Sequence, residues 1–249
     1  MLSLRNVSKT YHNIQKDLVA LNGVSFDIEQ GELVTVFGPN GSGKSTLFNI
    51  IAGIETLSKG KITFDGKSRE ETEIGFVFQN YNESMFPWLT VLDNVLFPLD
   101  IKKVPRAQSL EKAEHILKKV RLWDSKDKYL YELSGGMKQL TAIARAFISD
   151  PEYMLMDEPC SALDYATTKR IELELLSLWQ EKKITTIVIS HDIDEAIFLA
   201  DKVIVMSPRP GKVKTIIPVD LPRPRDLSTF TSKRFFEIRT EVLKAFMYE

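Results

Sequence analysis

Gly38-Pro39-Asn40-Gly41-Ser42-Gly43-Lys44-Ser45 sets three glycines, a lysine and a hydroxyl at G-x-x-x-x-G-K-[ST] spacing. Glycines let such a loop fold so that successive backbone N–H groups point inward at an anion, beside the positive end of the following helix. Lys44 is placed to neutralise the β- and γ-phosphates of a nucleotide, and Ser45 to ligate Mg²⁺ through its hydroxyl. Thr46 follows directly and joins the expected phosphate-binding set. A second signal is Asp157-Glu158, a pair of carboxylates closing the apolar run Met154-Leu155-Met156. Asp157 at a strand's C-terminal edge can hold Mg²⁺ through its water shell. Glu158, on the other side, can polarise a water against the γ-phosphate. Taken singly, each signal has a bland reading: a glycine-rich turn with a solvated lysine, and a solvated strand end. Together, in a strand–loop–helix context, they favour phosphate chemistry.

The elements that must position these groups are legible in outline. Residues 2–7 and 21–28 read as strands, the second alternating Val24, Phe26 and Ile28. Residues 33–37 form a β-branched run suited to a buried strand, and residues 44–52 a helix stopped by Gly53. From about residue 87 to 131 the strand grammar disappears, and Ala113, Ile116, Leu117 and Val120 take helical spacing. Strands resume at 153–157, 185–190 and 202–206, with helices at 166–180 and from Asp192. The alternation predicts a mostly parallel sheet covered on both faces, with a helical insertion. Pro208-Arg209-Pro210-Gly211 reads as a hairpin turn, and Pro222-Arg223-Pro224-Arg225 as a linker before a last helix at 231–248.

At 249 residues the chain fits one sizeable α/β domain, and its 43% hydrophobic content fills a core. Basic and acidic residues nearly cancel, 33 against 34, which argues against a generic polyanion-binding surface. Cys160 is the single cysteine, so no internal disulfide forms and a reducing compartment is expected. The first residues lack the plan of a signal peptide, and no apolar run approaches the ~20 residues of a membrane span. Any membrane role is therefore expected to be peripheral, through a partner.

Leu133-Ser134-Gly135-Gly136-Met137-Lys138-Gln139 separates this chain from other phosphate-loop proteins. A serine and two glycines at a helix start offer a hydroxyl, bare amides and a dipole to an anion, although an ordinary N-cap also uses serine. The segment resembles the signature motif of the ABC ATPases, and the likeness covers nearly the whole chain. It implies an α/β fold: a P-loop NTPase core with a mostly parallel sheet, an N-terminal antiparallel β subdomain and an inserted α-helical subdomain. The core would comprise residues 1–86 and 150–220, the helical signature subdomain 87–149, and a C-terminal linker and helix 221–249. The resemblance also implies roles. Gln79 would touch the Mg²⁺ and attacking water, His191 would sense the γ-phosphate, and Tyr11 would stack on adenine. Ser161-Ala162-Leu163-Asp164 would cross a dimer interface, and Ser134, Gly135, Gly136 and Gln139 would meet the ATP of a second copy.

Finer details resemble the ATPases of nitrate, aliphatic sulfonate and taurine importers. The residues that carry this are Phe86-Pro87-Trp88-Leu89-Thr90-Val91-Leu92-Asp93-Asn94-Val95, Leu178-Trp179 and Ser207-Pro208-Arg209-Pro210-Gly211. Cys160-Ser161 stands where a bulkier residue and glycine are frequent, and Leu140 where arginine is common. The implied cofactors are ATP and Mg²⁺. The implied partners are a second ATPase copy or paired subunit, transmembrane permease subunits and an extracytoplasmic substrate-binding protein, with no nucleic acid. The implied location is the cytoplasmic face of the cell membrane. Tyr81, Met85, Phe86 and Trp88 are expected to line a groove that receives a short helix of the membrane subunit. Two rivals stand beside this reading. One is an ABC ATPase acting on nucleic acid or the ribosome without a transporter, and the other a nucleotide-binding module without hydrolysis.

Overall fold

The computed structural model describes residues 1–12, 16–80, 84–161 and 163–247. Tyr81, Ala162 and Tyr248, each part of an expectation above, lie outside the described residues. Two sheets form among those described. A three-stranded antiparallel sheet runs β2 (Leu18–Ile28), β1 (Leu2–Tyr11) and β4 (Lys59–Phe64). The larger sheet is ordered β5 (Ile74–Val77), β6 (Tyr153–Asp157), β7 (Thr185–Ser190), β3 (Leu33–Phe37), β8 (Lys202–Met206) and β9 (Val213–Pro218). All its pairings are parallel except β8 with β9.

Strand alternation shows why the larger sheet must be covered twice. Val34 and Val36 of β3 join Leu155, Ile187 and Ile189 in a cluster with the small sheet and α1 (Lys44–Ala52). Leu33 and Phe37 point the other way, into a cluster with Met154, Met156 and Val188. Side chains at successive strand positions face opposite layers, so an uninterrupted apolar run is a strand buried on both faces. The second cluster continues into α2 (Val91–Ile101), α3 (Arg106–Lys119) and α4 (Gly135–Phe147). It also takes in α5 (Tyr165–Lys182), α6 (Ile193–Leu199) and α7 (Lys233–Met247). Helix α4 bridges the two regions, packing on α2, on α5 and on β5.

Several expectations need correction. β4 was not expected: Lys59, Gly60 and Lys61 interrupt its apolar pattern, which an edge strand with an exposed face tolerates. β1 and β2 extend beyond residues 2–7 and 21–28, and the helix expected at 166–180 runs from Tyr165 to Lys182. The last helix begins at Lys233, after a short 3₁₀ segment at Leu227–Thr231. The expected linker at 222–225 is tightly tied. Arg223 bonds Asp201 and the Leu199 carbonyl, and buried Arg225 donates to the carbonyls of Ile197, Phe198 and Ala200 at 2.8–3.1 Å. Those carbonyls close α6, where a cation satisfies both the orphan acceptors and the helix dipole. Met85 is only 4% exposed and belongs to the core, so it does not line a docking groove. Among the described residues of that segment, Trp88 is the exposed aromatic at 69%, with Phe86 beside it at 5.5 Å between ring centroids. Buried Asn94 pins the segment by bonding Phe86 N–H and the carbonyls of Phe86, Leu89 and Thr90.

Candidate active site

The phosphate loop joins β3, which lies between β7 and β8 inside the larger sheet, to α1. Gly41 (φ 77°) and Gly43 (φ 89°) both adopt left-handed backbone, which L side chains rarely enter. Gly43 is constrained further, since a Cβ there would lie 2.9 Å from the Ala20 carbonyl and 2.7 Å from Leu21. Lys44, 6% exposed, curls back so that Nζ donates to the carbonyls of Gly38 (2.8 Å) and Pro39 (3.1 Å). Burial pushes its pKa down, and the nearby charges of Glu158 and Asp157 oppose that. Ser42 Oγ is buried without a partner among the described residues, an unused polar group within the loop. Asn40 and Ser45 are exposed, while Pro39 and Thr46 are half-buried.

Asp157 ends β6 beside the loop. Burial raises its pKa, and a hydrogen bond from the Ser45 hydroxyl works against that shift. The chain then turns sharply. Glu158 takes φ +48°, left-handed and costly for a glutamate, and is held there by Glu158 N–H donating to the Ile189 carbonyl at 3.0 Å. Its carboxylate is the meeting point of the site. Gln79 Nε2 donates to Glu158 Oε2 at 2.8 Å, and His191 Nδ1 lies 3.2 Å from the same oxygen. Each arrives from its own strand: Gln79 two residues past β5, Glu158 just past β6, His191 just past β7. These are neighbouring parallel strands, so all three groups emerge at one C-terminal edge. A cavity of about 440 Å³, lined by Phe78, Gln79, Asn80, Ser84 and Asp157, opens there.

The remaining expected residues are held by other elements. Tyr11 ends β1 opposite Leu18, two residues before Ala20, with Lys9 Nζ 5.0 Å above its ring. Ser134 is exposed and caps α4, its Oγ accepting from Met137 N–H at 3.4 Å. Gly136 has a role the sequence did not suggest. A Cβ there would sit 2.5 Å from Thr167 Cγ2, so the glycine lets α4 close onto α5. Gly135 is half-buried, and Gln139 is 2% exposed with its Nε2 enclosed and unpartnered among the described residues. Asp164 caps α5, accepting from Thr167 N–H at 3.0 Å. Arg209 and Gly211 were missed as site residues: Arg209 Nε donates to the Gly41 carbonyl at 3.2 Å, and Gly211 abuts Ser42. Their only sequence signal was the turn motif itself.

Comparison with known proteins bears on this arrangement. A family model described as ABC transporter matches residues 21–161. An uncharacterized ABC transporter ATP-binding protein of Methanocaldococcus jannaschii is 42% identical over 244 residues, spanning 97% of this chain and 90% of that protein. An aliphatic sulfonates import ATP-binding protein of Bacillus cereus is 40% identical over 247 residues, spanning 98% and 95%. Among solved structures, a dimeric ATP-binding cassette in a post-hydrolysis state with ADP and Pi superposes with a TM-score of 0.77. Its identity is 33%, and the match covers 89% of this chain and 100% of that one. A Clostridium perfringens chain described as part of an ABC transporter complex gives a TM-score of 0.79 at 30% identity, covering 95% and 92%.

Proposed function

This chain belongs to the ABC transporter family as an ATP-binding, ATP-hydrolysing subunit, and we propose that it energises import of a small sulfonate-like solute. In this reading it works as one of two head-to-tail copies beneath transmembrane permease subunits. It sits peripherally on the cytoplasmic face, and a substrate-binding protein delivers solute from outside. The likeness to a sulfonate importer subunit supports the solute class, and the likeness to a dimeric cassette supports the pairing. No helix among the described residues is long and apolar enough to cross a membrane.

The observation that carries the chemistry is the convergence of Gln79 and His191 on Glu158 Oε2 beside the phosphate loop. ATP would lie with its phosphates on the loop amides and Lys44, and with adenine against Tyr11. Glu158 would take a proton from water as the water attacks the γ-phosphorus and the bond to the β–γ bridging oxygen breaks. Gln79 and His191 hold the carboxylate and the water in line. Mg²⁺, when bound, would spread the phosphate charge. Ser45 and Asp157 would hold it, two hard oxygen donors that suit a metal completing its shell with phosphate and water. Exposed Ser134 at the α4 N-terminus would meet the other copy's γ-phosphate. The helical subdomain at 87–149 would swing with Gln79 and move the docked permease helix.

Affinity purification of the tagged chain from detergent-solubilised membranes tests the transport reading. A polytopic permease should co-purify, and deletion of the chain should abolish uptake of labelled alkanesulfonate. Recovery with ribosomes or nucleic acid, and no permease, would refute it.

A further inference from the structure

The turn at residues 207–211 closes the β8–β9 hairpin, with Ser207 N–H donating to the Lys212 carbonyl at 3.0 Å and Ser207 Oγ accepting from Lys212 N–H at 3.1 Å. It does more than join two strands. Gly211 N–H donates to the Ala20 carbonyl and Asn22 N–H donates to the Gly211 carbonyl, both at 2.9 Å, so the turn is bolted to β2. From there it presses on the phosphate loop at two consecutive peptide units. An added Cβ on Gly211 would lie 1.9 Å from the Ser42 carbonyl oxygen. Gly211 is absent from the residues with positive φ, so its backbone would accept any side chain. Only the space forbids one. One position earlier in the loop, the Gly41 carbonyl accepts from Arg209 Nε at 3.2 Å.

A trans peptide is planar, with its C=O and N–H pointing in opposite directions. Holding the Ser42 carbonyl outward against Gly211 therefore aims Gly43 N–H inward, where a phosphate would sit. The Gly41 carbonyl faces a cationic donor, and charge-assisted bonds are the stronger and shorter kind. That fixes the peptide plane on the other side of Ser42, whose N–H turns to the Pro39 carbonyl at 3.2 Å. Glycines at 41 and 43 give the loop freedom it must lose on binding, and an external brace removes that freedom beforehand.

We propose that the 207–211 turn is a brace that presets the phosphate loop, with Arg209 and Gly211 as positioning residues for nucleotide binding. The inference rests on the assignment of residues 38–45 as the ATP phosphate site. Arg209 acts through the Gly41 carbonyl and need not touch ATP.

The test uses the full chain with Arg209→Ala, Arg209→Lys and Gly211→Ala. Mg-ATP KM and kcat are measured by phosphate release, Kd with a fluorescent ATP analogue, and melting without nucleotide. Arg209→Ala should raise KM and Kd roughly fivefold or more, with a smaller change in kcat and an unchanged nucleotide-free melting temperature. Arg209→Lys keeps a cationic N–H donor but loses the planar guanidinium, and should recover only part of the lost affinity. Gly211→Ala should weaken binding further. Wild-type KM and Kd in Arg209→Ala would overturn the brace. So would a lower melting temperature with unaltered Kd, the mark of a merely structural contact. If the wild-type chain itself bound no ATP, the phosphate-site assignment would fall instead, a result distinct from failure of the brace.

Discussion

Replacing Glu158 by glutamine removes a charge and a proton acceptor while leaving the shape of the site. The glutamine amide oxygen can still accept from Gln79 Nε2, now at 2.8 Å from Glu158 Oε2. The left-handed backbone at φ +48° is equally demanding for both side chains, so the fold should not change. Loss of a general base costs about 10²- to 10⁴-fold in rate, or roughly 3–5 kcal/mol of barrier. Binding should respond in the opposite sense. Glu158 acts electrostatically on both Lys44 and Asp157, and its negative charge opposes a polyanion arriving there. Glu158→Gln should therefore bind ATP no more weakly than wild type while turnover falls at least a hundredfold or so. It should also accumulate an ATP-bound dimer, visible in gel filtration with Mg-ATP. Phosphate release, analogue binding and elution volume give the three readings. Hydrolysis near the wild-type rate would place the base elsewhere, and lost ATP binding would make Glu158 a ligand-holding residue.

Three other perturbations probe separate parts of the account. Lys44→Ala removes the cation now resting on the Gly38 and Pro39 carbonyls, and should weaken ATP binding roughly ten- to hundredfold in equilibrium titration. Glu172, buried in α5 against Lys169, has its pKa raised by that burial from 4.5 to about 7. The folded state thus favours the protonated acid, so its contribution is full below about pH 4.5 and is lost as pH rises through about 7, on the order of 3 kcal/mol. Glu172→Gln should flatten denaturant-measured stability across that window, and an unchanged slope would count against the assignment. Arg225→Met leaves the three carbonyls at the end of α6 without their donor, and should cost roughly 2–4 kcal/mol, or about 5–15 °C in melting temperature.

The legibility of this chain follows from how local each signal is. β3, β6 and β7 carry apolar runs that only a doubly covered strand can use, and the loop and carboxylates follow those strands directly. The ends of these three strands could therefore be placed from neighbouring residues. β4 could not, because its exposed outer face allows two lysines and a glycine, and its pairing with β1 is set some fifty residues away. Met85 looked like part of an aromatic docking strip, but apolar content alone does not distinguish a core residue from an interface residue. Gly136 looked like a bare amide for an anion, yet its missing Cβ also makes room for Thr167, a contact across two helices. Arg225 and Arg209 were least legible. Their partners are backbone carbonyls, which leave no trace in side-chain pattern, and Arg209 reaches one 168 residues earlier.

The central claim is that two copies share each ATP, one offering Lys44 and Glu158 and the other Ser134. Phosphate release from mixtures of Lys44→Ala and Ser134→Arg chains tests it most directly. Each variant alone should be inactive, while Ser134→Arg still binds ATP as a monomer. Mixed equally, half the dimers should be heterodimers, each with one intact composite site, restoring at most about a quarter of the wild-type sites. Activity that stays at zero in the mixture, or a Ser134→Arg chain that cannot bind ATP alone, would contradict the shared site and place the signature residues in the same copy as the phosphate loop.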